Sequence, residues 1–256
     1  MERKCMHRFY MTPEQYNGEE IRIVGEDVNH MKNVLRMKEG EELVCCDGNG
    51  KEYICQVAEL NRDYVLVSVK EEQASANELS VRTVLFQGLP KKDKMELIIQ
   101  KAVELGVAEI VPVMMKRTIV KLEDKKKEEK KLERWQSIAL SAAKQSGRGI
   151  IPVVKPVMSW KEMLDYMGEL DYNIILYENA FGMKGTKECI KTAVKKQSVG
   201  ILVGPEGGFE ETEVTQATEH GAECVSLGHR ILRTETAGFT MLAALMLETE
   251  YESENQ

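Results

Sequence analysis

The sequence predicts an α/β protein in which a small β-rich unit precedes a larger domain built on a parallel sheet. Three observations carry this. From Val81 onward short apolar strands alternate with amphipathic helices, the pattern of a parallel sheet covered on both faces. Before residue 70 the chain instead holds short alternating strands around Gly48-Asn49-Gly50, a strong hairpin signal. In the last quarter two apolar strands run directly into irregular turns, at residues 200–209 and 227–237. Turns at strand ends are where α/β sheets bind ligands.

In the first unit, Ile21-Arg22-Ile23-Val24 reads as a strand and residues 28–38 as a short helix ended by Gly40. Residues 42–47 and 52–57 flank the hairpin turn, and residues 64–70 alternate as a further strand. Residues 71–78 are polar and unpatterned and read as a linker, placing one domain at 1–72 and the other at 79–250. The second domain begins with a strand at 81–87. A helix at 93–105 follows, with Ile98, Ile99, Ala102, Val103 and Leu105 inward, closed by Gly106. After a strand at 110–113 comes a long helix at 124–145, its inner stripe Leu132, Trp135, Ile138, Ala139 and Ala142. A strand around Val153, a helix from Ser159, a strand at 173–177 and a helix at 187–196 lead to the two strand-turn pairs. The apolar run 237–247 reads as a core helix.

The chain of 256 residues is 43% hydrophobic and 30% charged, which excludes a disordered or fibrous class. No apolar run approaches the roughly 20 residues of a membrane span, and the first residues lead into no apolar signal region. Six cysteines lack metal-ligand or redox spacing and read as reduced residues of a cytosolic protein; the four histidines are equally scattered. No metal is expected. Net charge is −7, yet residues 87–156 hold 16 Lys/Arg against 9 Asp/Glu. A basic segment in an acidic chain is a footprint for a polyanion. Lys125-Lys126-Lys127 and Lys130-Lys131 are interleaved with glutamates and read as the solvated face of a helix. Lys91, Lys92, Lys116, Arg117, Lys121, Lys144 and Arg148 lack that compensation and are the better contacts.

The first turn, Gly204-Pro205-Glu206-Gly207-Gly208, packs three glycines and a proline into five residues. Such a turn lets something sit against bare backbone. No Lys-Ser or Lys-Thr pair follows, so it is not a P-loop, and its spacing is not that of a dinucleotide turn. The ligand expected here is held by backbone contacts and has no phosphate handle. The second turn adds Arg230, Arg233 and Glu235.

These turns, with Leu227-Gly228-x-Arg230-Ile231-Leu232-Arg233-x-Glu235-Thr236-Ala237, resemble the 16S ribosomal RNA uridine-N3 methyltransferases of the SPOUT class. Also matching are His7-Arg8-Phe9, Val34-Leu35-Arg36, Gln100-Lys101-x-x-Glu104-Leu105-Gly106-Val107, Arg117-Thr118-Ile119-Val120-Lys121 and Gln145-Ser146-x-Arg148-x-x-x-Pro152. The resemblance spans nearly the whole chain in order, with departures at Lys144, outside both signature turns, and at His229, a variable position of the second. It implies a trefoil-knotted parallel-sheet domain, preceded by a PUA-like β-barrel that grips RNA. It also implies S-adenosyl-L-methionine as cofactor, 16S ribosomal RNA in the small ribosomal subunit as partner, and a cytoplasmic homodimer. The implied donor loops are residues 176–179, 203–208 and 227–237. Their binding residues are Leu176, Glu178, Val203, Gly204, Pro205, Glu206, Gly207, Gly208, Leu227, Gly228, Ile231, Leu232, Arg233, Thr236 and Ala237.

Methyl transfer from sulfonium to nitrogen is an in-line displacement that needs no metal. Uridine N3 must lose a proton to become a nucleophile, and a fixed cation can stabilise the resulting ring charge. Arg233 is the expected cation, with Arg230 structural. Glu206 and Glu235 either accept the proton or tie down the loops. Arg8, Lys91, Arg117, Lys121 and Arg148 are the expected RNA contacts. Two alternatives are a SPOUT enzyme acting on another RNA position or atom, and a non-catalytic RNA-binding factor. Intact donor turns argue against the latter.

Overall fold

The structure, a computed structural model, describes residues 6–92, 94–120, 124–180 and 182–254. Lys121, expected to meet RNA, lies outside the described residues, as do Cys5 and the first residue of the expected helix, Asp93. Two compact units divide the chain: residues up to Glu78 with Ala143–Ile151, and Leu79–Ala142 with the chain from Pro152 onward.

The first unit is one mixed sheet of β1 (His7–Tyr10), β2 (Glu20–Val24), β3 (Glu42–Cys46), β4 (Lys51–Leu60) and β5 (Tyr64–Ala74), in the order β1-β3-β4-β5-β2. β1 and β3 run parallel; the other pairs are antiparallel. Alternation drives it: on β2, Ile21 and Ile23 are buried while Arg22 and Val24 are exposed. Ile21, Ile23, Leu43, Cys45, Cys55, Val57, Val65 and Val67 form the centre of its core. The expected hairpin is present. Gly48 and Gly50 take the positive φ values (75° and 100°) its tight loop requires, and the Asp47 carboxylate accepts the amides of Asn49 and Lys51 at 2.7 and 3.0 Å.

Two expectations change here. β5 continues through Ala74, into the stretch read as a linker, with Glu72 opposite Tyr53 and Ala74 opposite Lys51. Its outer residues are polar because they face solvent; the ladder needs only backbone. The helix read at residues 28–38 is shorter: α1 (Glu26–Asn29) passes into a wide turn at His30–Val34 closed by Leu35 N–H donating to the His30 carbonyl at 2.9 Å. Arg36 then turns left-handed (φ 54°).

The second unit carries β6 (Arg82–Gly88), α2 (Lys94–Glu104), β7 (Glu109–Met114), α3 (Lys125–Ser146), β8 (Val153–Val154) and β9 (Met158–Ser159). Then come α4 (Trp160–Met167), β10 (Tyr172–Leu176), α5 (Met183–Ala193), β11 (Ser198–Val203), α6 (Glu211–Glu219), β12 (Ala222–Val225) and α7 (Thr234–Glu254). The last residues of α3, from Ala143, belong to the first unit. The sheet order is β12-β10-β11-β6-β7-β8, with β9 also beside β7, and every pair is parallel. On β6, Val84 and Phe86 join the core on the face that α4 covers. Leu85 points the other way and is equally buried. Continuous apolar strands are what a sheet covered on both faces needs. Chain order reverses about β6: β7 to β9 lie on one side, β10 to β12 on the other. The strand ends at that reversal are the ligand-binding position of such sheets.

A buried carboxylate organises the first unit. Glu52 is 1% exposed and accepts two hydrogen bonds from the Arg8 guanidinium, at 2.6 and 3.2 Å, and one from the Ser75 hydroxyl at 2.6 Å. Burial pushes its carboxyl up, but the bonds from Arg8 and Ser75 outweigh this and hold it below the usual 4.5. A depressed folded-state pKa contributes stability above the unfolded value and loses it as pH falls through the folded one. Wild type should therefore lose stability below 4.5, and Glu52→Gln should flatten that dependence while costing about 2 kcal/mol at neutral pH. Urea unfolding across the acid range checks both.

Candidate functional site

The C-terminal ends of β6, β10, β11 and β12 each open into a loop, and three of those loops enclose one cavity of about 410 Å³. Its walls are Leu176 and Glu178 after β10, residues 203–209 at the end of β11, and Ile231, Leu232, Arg233, Thr234 and Ala237 leading into α7. Lys94, the first residue of α2, closes one side. A smaller adjoining cavity of about 80 Å³ shares Leu176, Glu178, Ile231, Leu232 and Ala237 and adds Leu227, Gly228 and Arg230.

Short bonds hold the loops. The buried Thr234 hydroxyl donates to the Gly204 carbonyl at 2.6 Å and accepts from Gln87 Nε2, on β6, at 2.8 Å. Gly208 N–H closes a turn on the Pro205 carbonyl at 2.9 Å. Thr186 on α5 donates to the Ser226 carbonyl at 2.6 Å, fixing the loop after β12. The backbone of Gly88 lies so close to Pro205 that a Cβ there would stand 2.6 Å from the proline ring, so the β6 and β11 ends meet backbone to ring.

The twelve sequence-expected donor residues Leu176, Glu178, Val203, Gly204, Pro205, Glu206, Gly207, Gly208, Ile231, Leu232, Arg233 and Ala237 line the main cavity. Leu227 and Gly228 line only the smaller one, and Thr236 lines neither. Absent from the expected set were Lys94 and Thr234, which carry no signature of their own, and Phe209, the last residue of the first turn. Gly207 lines the cavity with backbone alone, and the lack of a side chain there serves a second purpose. A Cβ there would stand 3.0 Å from Arg117 Cβ, so its missing side chain makes room for that arginine. Gly208 suits the expectation as well: at φ 69° its Cβ would approach Glu178 Oε1 to 3.1 Å across the cavity wall.

The charged groups separate into held and unheld. Glu206 accepts the Lys91 amide at 3.1 and 3.3 Å and faces Lys94 Nζ at 3.3 Å. Burial pushes its carboxyl up, but the amides of Glu206 and Lys91 and the Lys94 ammonium together hold it below the usual carboxylate range. A carboxylate stabilised in this way is a weak proton acceptor and a good tether. Glu235 does not line the cavity but meets the same Lys94 Nζ at 3.3 Å. Arg233, by contrast, is exposed and has no ion-pair partner among the described residues. It is a cation at the wall of a cavity that Glu178 and Glu206 also line.

Three expected RNA contacts are engaged internally. Arg148 is 4% exposed and locked by Glu78 at 2.5 Å, a carboxylate that also accepts the amides of Gly149 and Ile150. A guanidinium buried this way cannot reach a phosphate outside. Arg8 is committed to Glu52. Arg117 donates to Glu210 at 2.9 Å and to the Gly207 carbonyl at 3.0 Å, so it buttresses the glycine turn. Lys91 bonds Glu206 through its amide and leaves its side chain exposed.

Among the described residues no three His, Cys, Asp or Glu cluster as metal ligands, and no helix is long and apolar enough to cross a membrane. The RNA methyltransferase domain family matches residues 77–246, and the RNA methyltransferase PUA domain family matches residues 23–70. A ribosomal RNA small subunit methyltransferase E from Bacillus subtilis is 38% identical over 251 residues, 96% of this chain and 98% of that protein. The chain belongs to the ribosomal RNA small subunit methyltransferase E family. The Mesomycoplasma hyopneumoniae member is 34% identical over 93% of this chain and 97% of its own. A crystal structure of the Neisseria gonorrhoeae member bound to S-adenosyl methionine superposes with a TM-score of 0.78 at 35% identity, covering 94% of this chain and 97% of that one.

The cavity of this family member fits that donor. Its volume suits a ligand of nucleoside-amino-acid size. Leu176, Val203, Pro205, Leu232 and Ala237 give an apolar wall for a base, and Glu178, Glu206 and Lys94 give charges for the zwitterionic end. Replacing Thr234 by Val keeps the shape but strips the Gly204 carbonyl of its donor and leaves buried Gln87 Nε2 short of an acceptor. The cost should be about 1–3 kcal/mol in stability, with weaker donor binding, read from melting curves with and without ligand.

Proposed function

We propose that this protein transfers the methyl group of S-adenosyl-L-methionine to N3 of a specific uridine in 16S ribosomal RNA of the small subunit. The single observation that carries this is Arg233. In a chain of this family, a cation without an ion-pair partner among the described residues stands at the wall of a donor-sized cavity at the strand ends.

When bound, S-adenosylmethionine supplies an activated methyl group on a sulfonium, which departs as a neutral thioether. The protein's part is to position and to stabilise charge. Leu176, Val203, Gly204 and Pro205 with Leu232 and Ala237 hold the donor from two sides, and Phe209 closes the cavity. The uracil N3–H proton leaves to solvent, the new bond forms at N3, and the charge that builds over N3, O2 and O4 faces the Arg233 guanidinium. A cation placed where charge develops acts as an oxyanion hole does. Glu206, held by two amides and Lys94, acts as a tether, and holding both reactants in line supplies much of the acceleration.

The same reading includes a threaded C-terminal chain of the SPOUT type, a PUA-like first unit that grips RNA, a cytoplasmic location and a homodimer. Supporting the threading, residues 226–233 return from the edge strand β12 past β10 to Gly204 at the end of β11. Supporting the dimer, Ile231 (88% exposed), Leu247 and Tyr251 leave apolar surface uncovered on the last loop and on α7. RNA contact through Lys91 fits its exposed side chain beside the cavity, whereas Arg148 belongs to the interior.

Arg233→Ala should lower turnover by about 10²–10³ while changing donor affinity little. Single-turnover rates on unmethylated small subunits, set beside calorimetric donor binding, separate the two quantities. Equal losses in both would make Arg233 a loop-structure residue. For the substrate itself, mass mapping of modified nucleosides in 16S ribosomal RNA from cells lacking the gene should show loss of N3-methyluridine. Its persistence would refute the assignment.

A further inference from the structure

Among the described residues, only Arg36 and Lys92 are non-glycine residues with positive φ. Lys92 (φ 56°) follows Lys91, whose amide bonds Glu206, and both lysine side chains are exposed. A strained non-glycine residue persists only where its surroundings impose it. Here the imposing contacts are visible. On one side Glu206 grips the Lys91 amide. On the other, Lys94 Nζ lies 3.3 Å from Glu206 Oε1 and 3.3 Å from Glu235 Oε2.

Lys94 sits in an unusual place. It opens α2, where the helix dipole disfavours a cation. Two carboxylates offset this, one from the loop after β11 and one from the first turn of α7. Both distances exceed the 2.7–2.9 Å of a closed charge-assisted bond, so the ammonium is shared by both partners and closed on neither. One side chain therefore joins two of the three loops that wall the cavity, and the exposed Lys91 and Lys92 precede it closely in sequence.

We propose that Lys94 is a positioning residue that holds Glu206 and Glu235, and hence two of the three donor loops, in register. With Lys91 and Lys92 it makes a basic turn through which a phosphate of the RNA substrate is linked to the donor cavity. This rests on the methyltransferase reading above and adds to it a coupling of the two binding events. A phosphate drawn to Lys91 and Lys92 fixes the turn, the turn fixes Glu206, and donor binding meets loops already placed. Such coupling is reciprocal, so donor must tighten RNA binding by the same factor that RNA tightens donor binding.

The probe is S-adenosylhomocysteine, which occupies the site without turnover, titrated into the full chain with and without unmethylated small ribosomal subunits. Wild type should bind subunits at least about fivefold more tightly when saturated with the probe. Lys94→Met should lose that linkage and bind the probe about tenfold more weakly. Lys94→Arg, whose guanidinium still reaches two carboxylates, should recover most of both. Lys91→Ala with Lys92→Ala should weaken subunit binding and shallow its salt dependence by roughly two units. Circular dichroism and melting temperature control for folding. If folded Lys94→Met retains wild-type affinity and linkage, or if Lys94→Arg fails as Lys94→Met does, the positioning role is wrong while the methyltransferase reading stands. If wild type itself binds neither donor nor probe, that reading falls first and takes the coupling with it.

Discussion

The donor cavity depends on one hydroxyl. Thr234 spans the Gly204 carbonyl at the end of β11 and the Gln87 amide on β6, all three buried. Gly204 cannot satisfy that carbonyl within its own turn, because the turn uses the Pro205 carbonyl for Gly208. A buried carbonyl without a donor is costly, so the start of α7 must sit where it does. Its placement carries Arg233 and Ala237 with it on either side, and the Leu232 and Ile231 wall follows. The packing of α7 against α2 then brings Glu235 to Lys94. Positions of cavity residues far apart in sequence thus follow from satisfying a single backbone group.

A second constraint sorts the arginines. Arg8, Arg117 and Arg148 each reach a carboxylate that is distant in sequence: Glu52, Glu210 and Glu78. The Glu52 and Glu78 carboxylates accept further bonds, and Arg117 adds one to the Gly207 carbonyl, so each pair is part of a larger set of contacts. Planar guanidinium forks suit such sites because several donors are fixed at once. Arg233 has the same side chain and no such partner among the described residues. Folding has engaged the first three charges and left the fourth without an ion pair among the described residues.

That sorting marks the limit of what the sequence made legible. The alternating strands and helices, the hairpin at Gly48-Asn49-Gly50 and the two glycine and arginine turns follow from local pattern, since period and turn chemistry are local properties. Twelve of the expected donor residues, Leu176 to Ala237, line one cavity because strand ends in a parallel sheet converge. Pairing is non-local. Nothing near Arg148 in sequence announces Glu78, 70 residues away, so a basic residue in a family motif read as a phosphate contact. Residues 71–74 misled for the opposite reason: their side chains face water, and the β5 ladder that holds them is made by backbone, which no side-chain pattern records. Lys94 stayed hidden inside a lysine-rich stretch until the fold set two glutamates around it.

The contrast between Glu206 and Arg233 also bears on how a proton can leave the uracil. Two amides and an ammonium stabilise Glu206 as an anion, and the stabilisation that makes it a firm tether lowers its basicity in proportion. Strengthening the loop and strengthening the base are therefore opposed demands on one carboxylate. In the proposed mechanism Arg233, which has no ion-pair partner among the described residues, meets the charge that develops instead. Lowering the acidity barrier of N3–H through Arg233 requires no strong base, because an anion stabilised as it forms can lose its proton to solvent. On that proposal, rigidity of the donor loops rests on Glu206 and activation of the acceptor on Arg233, so the two demands fall on different side chains.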